Sequence, residues 1–191
     1  MTETENMKKR ILSAVLAGLL ASGALSGCAN PQKEGTKALE AGDYTEAEAQ
    51  FQEIAESDDR EKSAAGYRGL GMTYYETGDC AKALEAFQKA LDMGTEQTVT
   101  LYNLMGICAM QTEDYGAAQE YIGAGLALAA TEDGEDSAAD PELLREMKYN
   151  QIICCEKLSD WETARQKAAE YLEEYPDDEA MQKEAQFLET R

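Results

Sequence analysis

Tyr67–Leu91, YRGLGMTYYETGDCAKALEAFQKAL, is the stretch whose reading decides the fold. In its first half Tyr67, Leu70, Gly71 and Tyr74 recur at i, i+3, i+4 and i+7, the spacing that gathers side chains on one face of an α-helix. In its second half Ala83, Phe87 and Ala90 do the same. A Gly78-Asp79 pair separates them and supplies a tight turn, and the small residues Gly71 and Ala83 let two helices approach closely. The stretch therefore predicts an antiparallel helical hairpin.

Working outward, the turn recurs. Gly42-Asp43-Tyr44, Gly78-Asp79-Cys80, Glu113-Asp114-Tyr115 and Ser159-Asp160-Trp161 each precede an apolar helical pattern, with the aspartates 36, 35 and 46 residues apart. A small residue follows each Asp by four positions: Ala47, Ala83, Ala118 and Ala164. The next face positions are Phe51, Phe87, Ile122 and Ala168, then Ile54, Ala90, Gly125 and Tyr171. On the preceding helices Gly35, Gly71 and Gly106 occupy one register, and Ile152 departs from it in the fourth copy.

This arrangement of a large residue, Leu-Gly and Tyr, then Ala, Phe and Ala across two helices, resembles the tetratricopeptide repeat, whose period is 34 residues. The resemblance covers about residues 32–176. It implies an all-α fold, a right-handed α-solenoid of antiparallel helix hairpins with a C-terminal capping helix. The hairpins are expected at about 32–57, 61–92, 96–129 and 140–175, together forming one domain over 35–191. Pro31 starts the first helix late, and Pro176 stands where the family ends a repeat. Asp177 is then expected to cap a last helix through about Glu189, with Met181, Ala185 and Leu188 facing the array.

Composition narrows the function. With 38 acidic residues, 17 Lys and Arg and no His, the chain is formally −21 at pH 7, and no basic cluster lies beyond the first ten residues. Such a chain repels phosphate, so nucleic acid is not an expected partner. The absence of His removes Ser-His-Asp relays, Cys-His pairs and imidazole metal ligands. Cys80, Cys108, Cys154 and Cys155 show no Cys-x-x-Cys spacing, and adjacent Cys154 and Cys155 diverge by about 100° on a helix. They read as small buried apolar residues, with a disulfide among them allowed outside the cytoplasm but not required.

The N-terminus reads as a targeting device. Met7-Lys8-Lys9-Arg10 precedes ILSAVLAGLLASGAL, an apolar run of 15 residues, short for a bilayer span and suited to a signal peptide over 1–27. It ends in Leu25-Ser26-Gly27-Cys28, which resembles the bacterial lipobox; the resemblance implies cleavage before Cys28 and lipid attachment to it. Residues 28–34 then form a short tether, and the expected location is extracytoplasmic, anchored to a plasma or outer membrane. Between the third and fourth hairpins, 130–140 reads as a solvated acidic loop, with Asp140-Pro141 starting the next helix. Asp133, Glu135 and Ser137 alternate as calcium ligands do, but Ala138 and Leu144 stand where that loop needs Gly and Glu, so no metal is expected.

Catalytic constellations are missing as well. Gly66, Gly69 and Gly71 lie within a predicted helix and lack the strand that precedes a phosphate loop; close helix packing explains them better. In a chain this acidic, paired carboxylates arise by chance, so an acidic hydrolase is a remote alternative and no cofactor is expected. The resemblance implies instead a concave groove lined by the first helix of each repeat, binding a peptide or helix of a protein partner. Its positions here are Arg68, Met72 and Tyr75 in repeat two, Asn103, Ile107 and Met110 in repeat three, and Tyr149, Asn150 and Ile153 in repeat four. The Lys/Asn clamp some family members use for a terminal carboxylate is missing, with Thr36, Met72 and Ile107 at its positions. Scaffolding in envelope assembly is the implied role, with self-association as the alternative.

Overall fold

The computed structural model describes residues 30–131 and 140–191. The lipidation candidate Cys28, the whole leader and the calcium-like positions Asp133, Glu135, Ser137 and Ala138 lie outside those residues. The described chain is helical: α1 Pro31–Ala41, α2 Tyr44–Ala55, α3 Arg60–Thr77, α4 Cys80–Asp92, α5 Val99–Gln111, α6 Tyr115–Thr131, α7 Pro141–Lys157, α8 Trp161–Glu174 and α9 Glu179–Leu188. Among these residues no helix is long and apolar enough to cross a membrane. The expected fold class, an all-α series of helical hairpins closed by a C-terminal helix, is the one found.

Each hairpin turn uses one local device. Gly42, Gly78, Glu113 and Ser159 adopt left-handed backbone, with φ of 75°, 80°, 62° and 60°. The aspartate that follows caps the next helix. Asp43 Oδ1 accepts from the Glu46 N–H at 3.2 Å, Asp79 from Lys82 at 3.3 Å, Asp114 from Ala117 at 3.0 Å and Asp160 from Thr163 at 3.2 Å. The same aspartates close the preceding helix: the Asp43, Asp114 and Asp160 N–H groups donate back to the Ala38, Ala109 and Cys155 carbonyls at 2.9 Å. One residue thus satisfies orphan backbone groups of two helices. Glycine serves this turn at two sites, while Glu113 and Ser159 hold it against the steric cost of a Cβ in that region.

One start differs from expectation. Helix α1 begins at Pro31, as expected, capped by the Asn30 side chain on the Gln32 N–H. Asp178, rather than Asp177, caps α9: its Oδ1 accepts from the Ala180 and Met181 N–H groups at 3.0 and 3.1 Å. The physical reason is spacing, because Pro176 and Asp177 are needed for the turn out of α8. Asp140 and Pro141 start α7 as expected, with Asp140 Oδ1 accepting from the Glu142 N–H.

The residues fall into two compact units. One comprises 30–78 with 86–95; the other comprises 79–85, 96–131 and 140–191. A repeat array buries each hairpin only against its neighbours, so it has no single core to hold it as one unit.

In the first unit the glycines set helix spacing. A Cβ on Gly66 would lie 2.3 Å from the Ala55 backbone nitrogen, and one on Gly69 would lie 2.2 Å from the Phe51 ring. A Cβ on Gly71 would lie 2.4 Å from the Phe87 ring, which is fully buried with Ala90. Arg60 fastens the end of α4 to the start of α3, donating to the Met93 and Asp92 carbonyls at 2.9 and 2.8 Å.

The second unit has two core clusters. Val99, Ala109, Ala118, Ile122, Leu143, Met147 and Cys154 form one. Ile152, Cys155, Ala164, Ala168, Tyr171, Met181 and Leu188 form the other, so the fourth hairpin and α9 are packed despite the missing glycine. The departure at Ile152 is a size exchange. Gly35 faces Phe51, Gly71 faces Phe87 and Gly106 faces Ile122, while in repeat four the large residue, Ile152, is on the first helix and the small one, Ala168, on the second. Similar volume is filled from the opposite side, and close packing asks for no more. All four described cysteines are buried and free, as expected of small apolar residues.

Candidate protein-binding face

In the first unit the candidate positions lie on α3. Gly69, Leu70, Gly71, Met72 and Thr73 are buried in succession. Five residues at about 100° each pass around the whole helix, so α3 is packed on every side along that turn. Met72 is 4 % exposed and offers no binding surface, while Arg68 and Tyr75 are half-buried. The groove positions implied by the resemblance assume one open face, and this helix has none at Met72.

In the second unit the candidates lie on α5 and α7. Asn103 is 1 % exposed, and its Oδ1 has no hydrogen-bond partner among the described residues. It is a core residue rather than a groove contact, because α5 is buried continuously from Asn103 to Gly106. Ile107 and Met110 are half-buried, as are Tyr149, Asn150 and Ile153 on α7. Those five form the accessible part of the predicted set in this unit.

Tyr149 is fixed from behind: its ring meets the Tyr171 ring edge-on at 6.2 Å. Burial raises its pKa, and the charges of Glu184, Asp178 and Glu156 add to the rise. Further along α7, Glu156 is pushed up to about 7, first by burial and then by Glu184 of α9. Its Oε1 is buried without a hydrogen-bond partner among the described residues. The exposed strip of α7 thus runs into a pair of carboxyl groups that disfavour each other's charge.

A polar and aromatic clasp that spacing did not reveal holds this end. Arg145 of α7 donates from Nε to Tyr171 Oη at 3.0 Å and from Nη2 to Asp178 Oδ2 at 2.7 Å, while Tyr171 Oη donates to the same oxygen at 2.8 Å. The Arg145 guanidinium lies 5.3 Å from the centre of the Tyr175 ring, and Lys148 pairs with Glu174. Burial opposes ionisation of Asp178, but Arg145, the Met181 N–H and Tyr171 together pull its pKa down to about 2. Tyr171 is pushed up to about 12, chiefly by burial. The clasp joins α7, α8 and the cap of α9. Its signal in sequence is an Arg and an Asp 33 positions apart, which no short-range pattern distinguishes in so charged a chain.

A separate cleft of about 360 Å³ opens between α6, α7 and α8, lined by Leu126, Ala129, Leu144, Lys148, Gln151 and Lys167 among others. Leu144, Lys148 and Gln151 share one face of α7, and Tyr149 and Ile153 lie roughly opposite at 100° per residue. The two surfaces are therefore distinct. Among the described residues no group of three His, Cys, Asp or Glu side chains could hold a metal ion.

Residues 33–98 match the tetratricopeptide repeat family. Residues 33–98 carry tetratricopeptide repeat sequence. Beyond the matched stretch, the helical fold is similar to that of solved structures. One crystal form of MamA AMB-1 superimposes with a TM-score of 0.64 at 15% identity, covering 83% of this chain and 78% of that one. A second form gives 0.61 at 15% identity, covering 83% and 84%. TTC0263 of Thermus thermophilus, described as a thermophilic TPR protein, gives 0.49 at 16% identity, covering 84% and 80%. No curated protein matches the sequence. At these identities the structural likeness concerns the fold alone. Helices α5 and α7 are the first helices of their hairpins, and they carry Ile107, Met110, Tyr149, Asn150 and Ile153.

Proposed function

We propose that this tetratricopeptide repeat chain is a membrane-anchored interaction scaffold that binds a peptide or helix of a protein partner, with binding rather than catalysis as its role. The observation that carries the reading is the half-buried strip on α5 and α7, Ile107, Met110, Tyr149, Asn150 and Ile153. It combines large contact area with adaptable hydrogen bonding, and its backing is already ordered by the Tyr149–Tyr171 contact. A net charge of −21 favours a basic partner segment. The basic n-region, the apolar run and Leu25-Ser26-Gly27-Cys28 support an extracytoplasmic location with a lipid on Cys28, consistent with a part in envelope assembly.

The test is crosslinking in membranes followed by pull-down, with Ile107→Arg and Ile153→Arg compared with the parent. Loss of one common prey in both variants is expected; an unchanged prey would overturn the binding face. Cys28→Ala is expected to move the protein to the soluble extracytoplasmic fraction, and persistent membrane association would overturn the anchor. Leu158 and Phe187, 45% and 40% exposed near the C-terminal end, favour self-association as a second reading. Light scattering at high concentration distinguishes it, since a monomer excludes it.

A further inference from the structure

We propose that Cys80 and Cys108 are a disulfide-forming pair that ties the first turn of α4 to α5 within the second unit. Two observations bring the sulfurs together. Cys80 Sγ donates to Gln111 Oε1 at 3.3 Å, and Gln111 lies three residues beyond Cys108, on the same face of α5. Cys80 is also the neighbouring group that, after burial, raises the Cys108 thiol. Both are buried, at 5% and 0% exposure, so the pair sits in packed structure rather than on a loop.

The other two thiols do not compete. Cys154 packs in the cluster with Val99, Ile122 and Leu143, and Cys155 in the cluster with Ile152, Ala164 and Tyr171. Cys155 Sγ accepts from Gln119 Nε2 at 2.8 Å. Adjacent positions on a helix point their sulfurs apart.

The chemistry is thiol–disulfide exchange with an external disulfide, either a small molecule or an oxidoreductase. The Cys80 thiolate attacks the oxidant's disulfide and displaces one of its thiols. The Cys108 thiolate then attacks Cys80 Sγ and displaces the other. Two cysteine thiols become one disulfide, the oxidant's disulfide becomes two thiols, and the two protons pass to those thiols. Burial and the neighbouring Cys80 hold the Cys108 thiol well above its ordinary range, so thiolate is scarce in the folded protein. The bond therefore closes as the hairpin folds, and it then resists reduction. It secures α5 beside Ile107 and Met110, and it does not depend on the function proposed above.

The experiment refolds the full chain from denaturant in a reduced and oxidised glutathione buffer. Remaining thiols are blocked with N-ethylmaleimide, and the unreduced digest is mapped by mass spectrometry. The expected product is a linked peptide pair containing Cys80 and Cys108, two hydrogen masses lighter than the separate peptides, with label on Cys154 and Cys155. The oxidised chain should melt higher than the reduced chain by roughly 5 °C or more. Cys80→Ser and Cys108→Ser should each lose the linked pair, and Cys154→Ser should keep it. The parent digest decides even where a variant fails to fold. Label on both Cys80 and Cys108, or linkage of either to another cysteine, would overturn the proposal.

Discussion

Gly71→Ala is a one-methyl change whose cost can be worked from the structure. The added Cβ would lie 2.4 Å from Cδ1 and Cε1 of Phe87, where carbon atoms normally stand about 3.5–4.0 Å apart. The ring must move by about 1 Å, yet it is fully buried and rigid. Overpacking of this kind costs about 1–3 kcal/mol, and removing a mid-helix glycine returns about 1 kcal/mol. A displacement this large belongs at the upper end, so the expected net loss is about 2 kcal/mol. Phe87→Ala alone should cost about 3–5 kcal/mol. In that background the Gly71→Ala methyl enters the vacated space, the clash vanishes and the helix gain remains. The substitution should then stabilise by about 1 kcal/mol, a sign reversal amounting to a coupling of about 3 kcal/mol. Urea unfolding followed by far-UV circular dichroism, on the four members of the cycle, measures it. Gly66→Ala is the control: its Cβ would meet backbone, 2.3 Å from the Ala55 nitrogen, so no truncation on α2 should rescue it. Equal destabilisation by Gly71→Ala in both backgrounds would refute the reasoning that Phe87 sets this helix spacing.

Three further outcomes are expected. Glu113→Gly and Ser159→Gly place glycine at φ of 62° and 60°, and each should stabilise by about 0.5–1 kcal/mol in the same unfolding assay, whereas Gly78→Ala should destabilise by about 1 kcal/mol. Asp178 has its pKa depressed to about 2, so its contribution is complete above the unfolded carboxylate value and is lost as pH falls through about 2. Arg145→Ala should remove about 1.5–3 kcal/mol at neutral pH, and fraying of α9 should appear as faster hydrogen exchange at Met181. Glu156 has its pKa raised to about 7, so stability should fall as pH rises from the unfolded value through about 7. Glu156→Gln should match the parent in acid and exceed it at pH 8, read as melting temperature against pH.

The hairpins were legible because helical periodicity and turn chemistry are local. Asp43, Asp79, Asp114 and Asp160 mark the turns without any tertiary information, since each acts within four residues of itself. The binding face was legible only in part. The family resemblance assigned Met72 and Asn103 to the same groove as Ile107 and Tyr149, but it carries over positions one by one, whereas which of them stay open depends on the side chains packed around each helix here. The apparent defect at Ile152 shows the same limit, since its compensation by Ala168 lies on another helix.

By itself the sequence determined the helices, their pairing into hairpins and the acidic charge, because each rests on residue type and short-range spacing. Only the tertiary structure decided which first-helix residues stay accessible, that α9 is clasped through Arg145, Tyr171 and Asp178, and that Cys80 meets Gln111 of α5. Those depend on which side chains from distant positions meet, and packing volume and paired charge select such meetings only after the helices have formed.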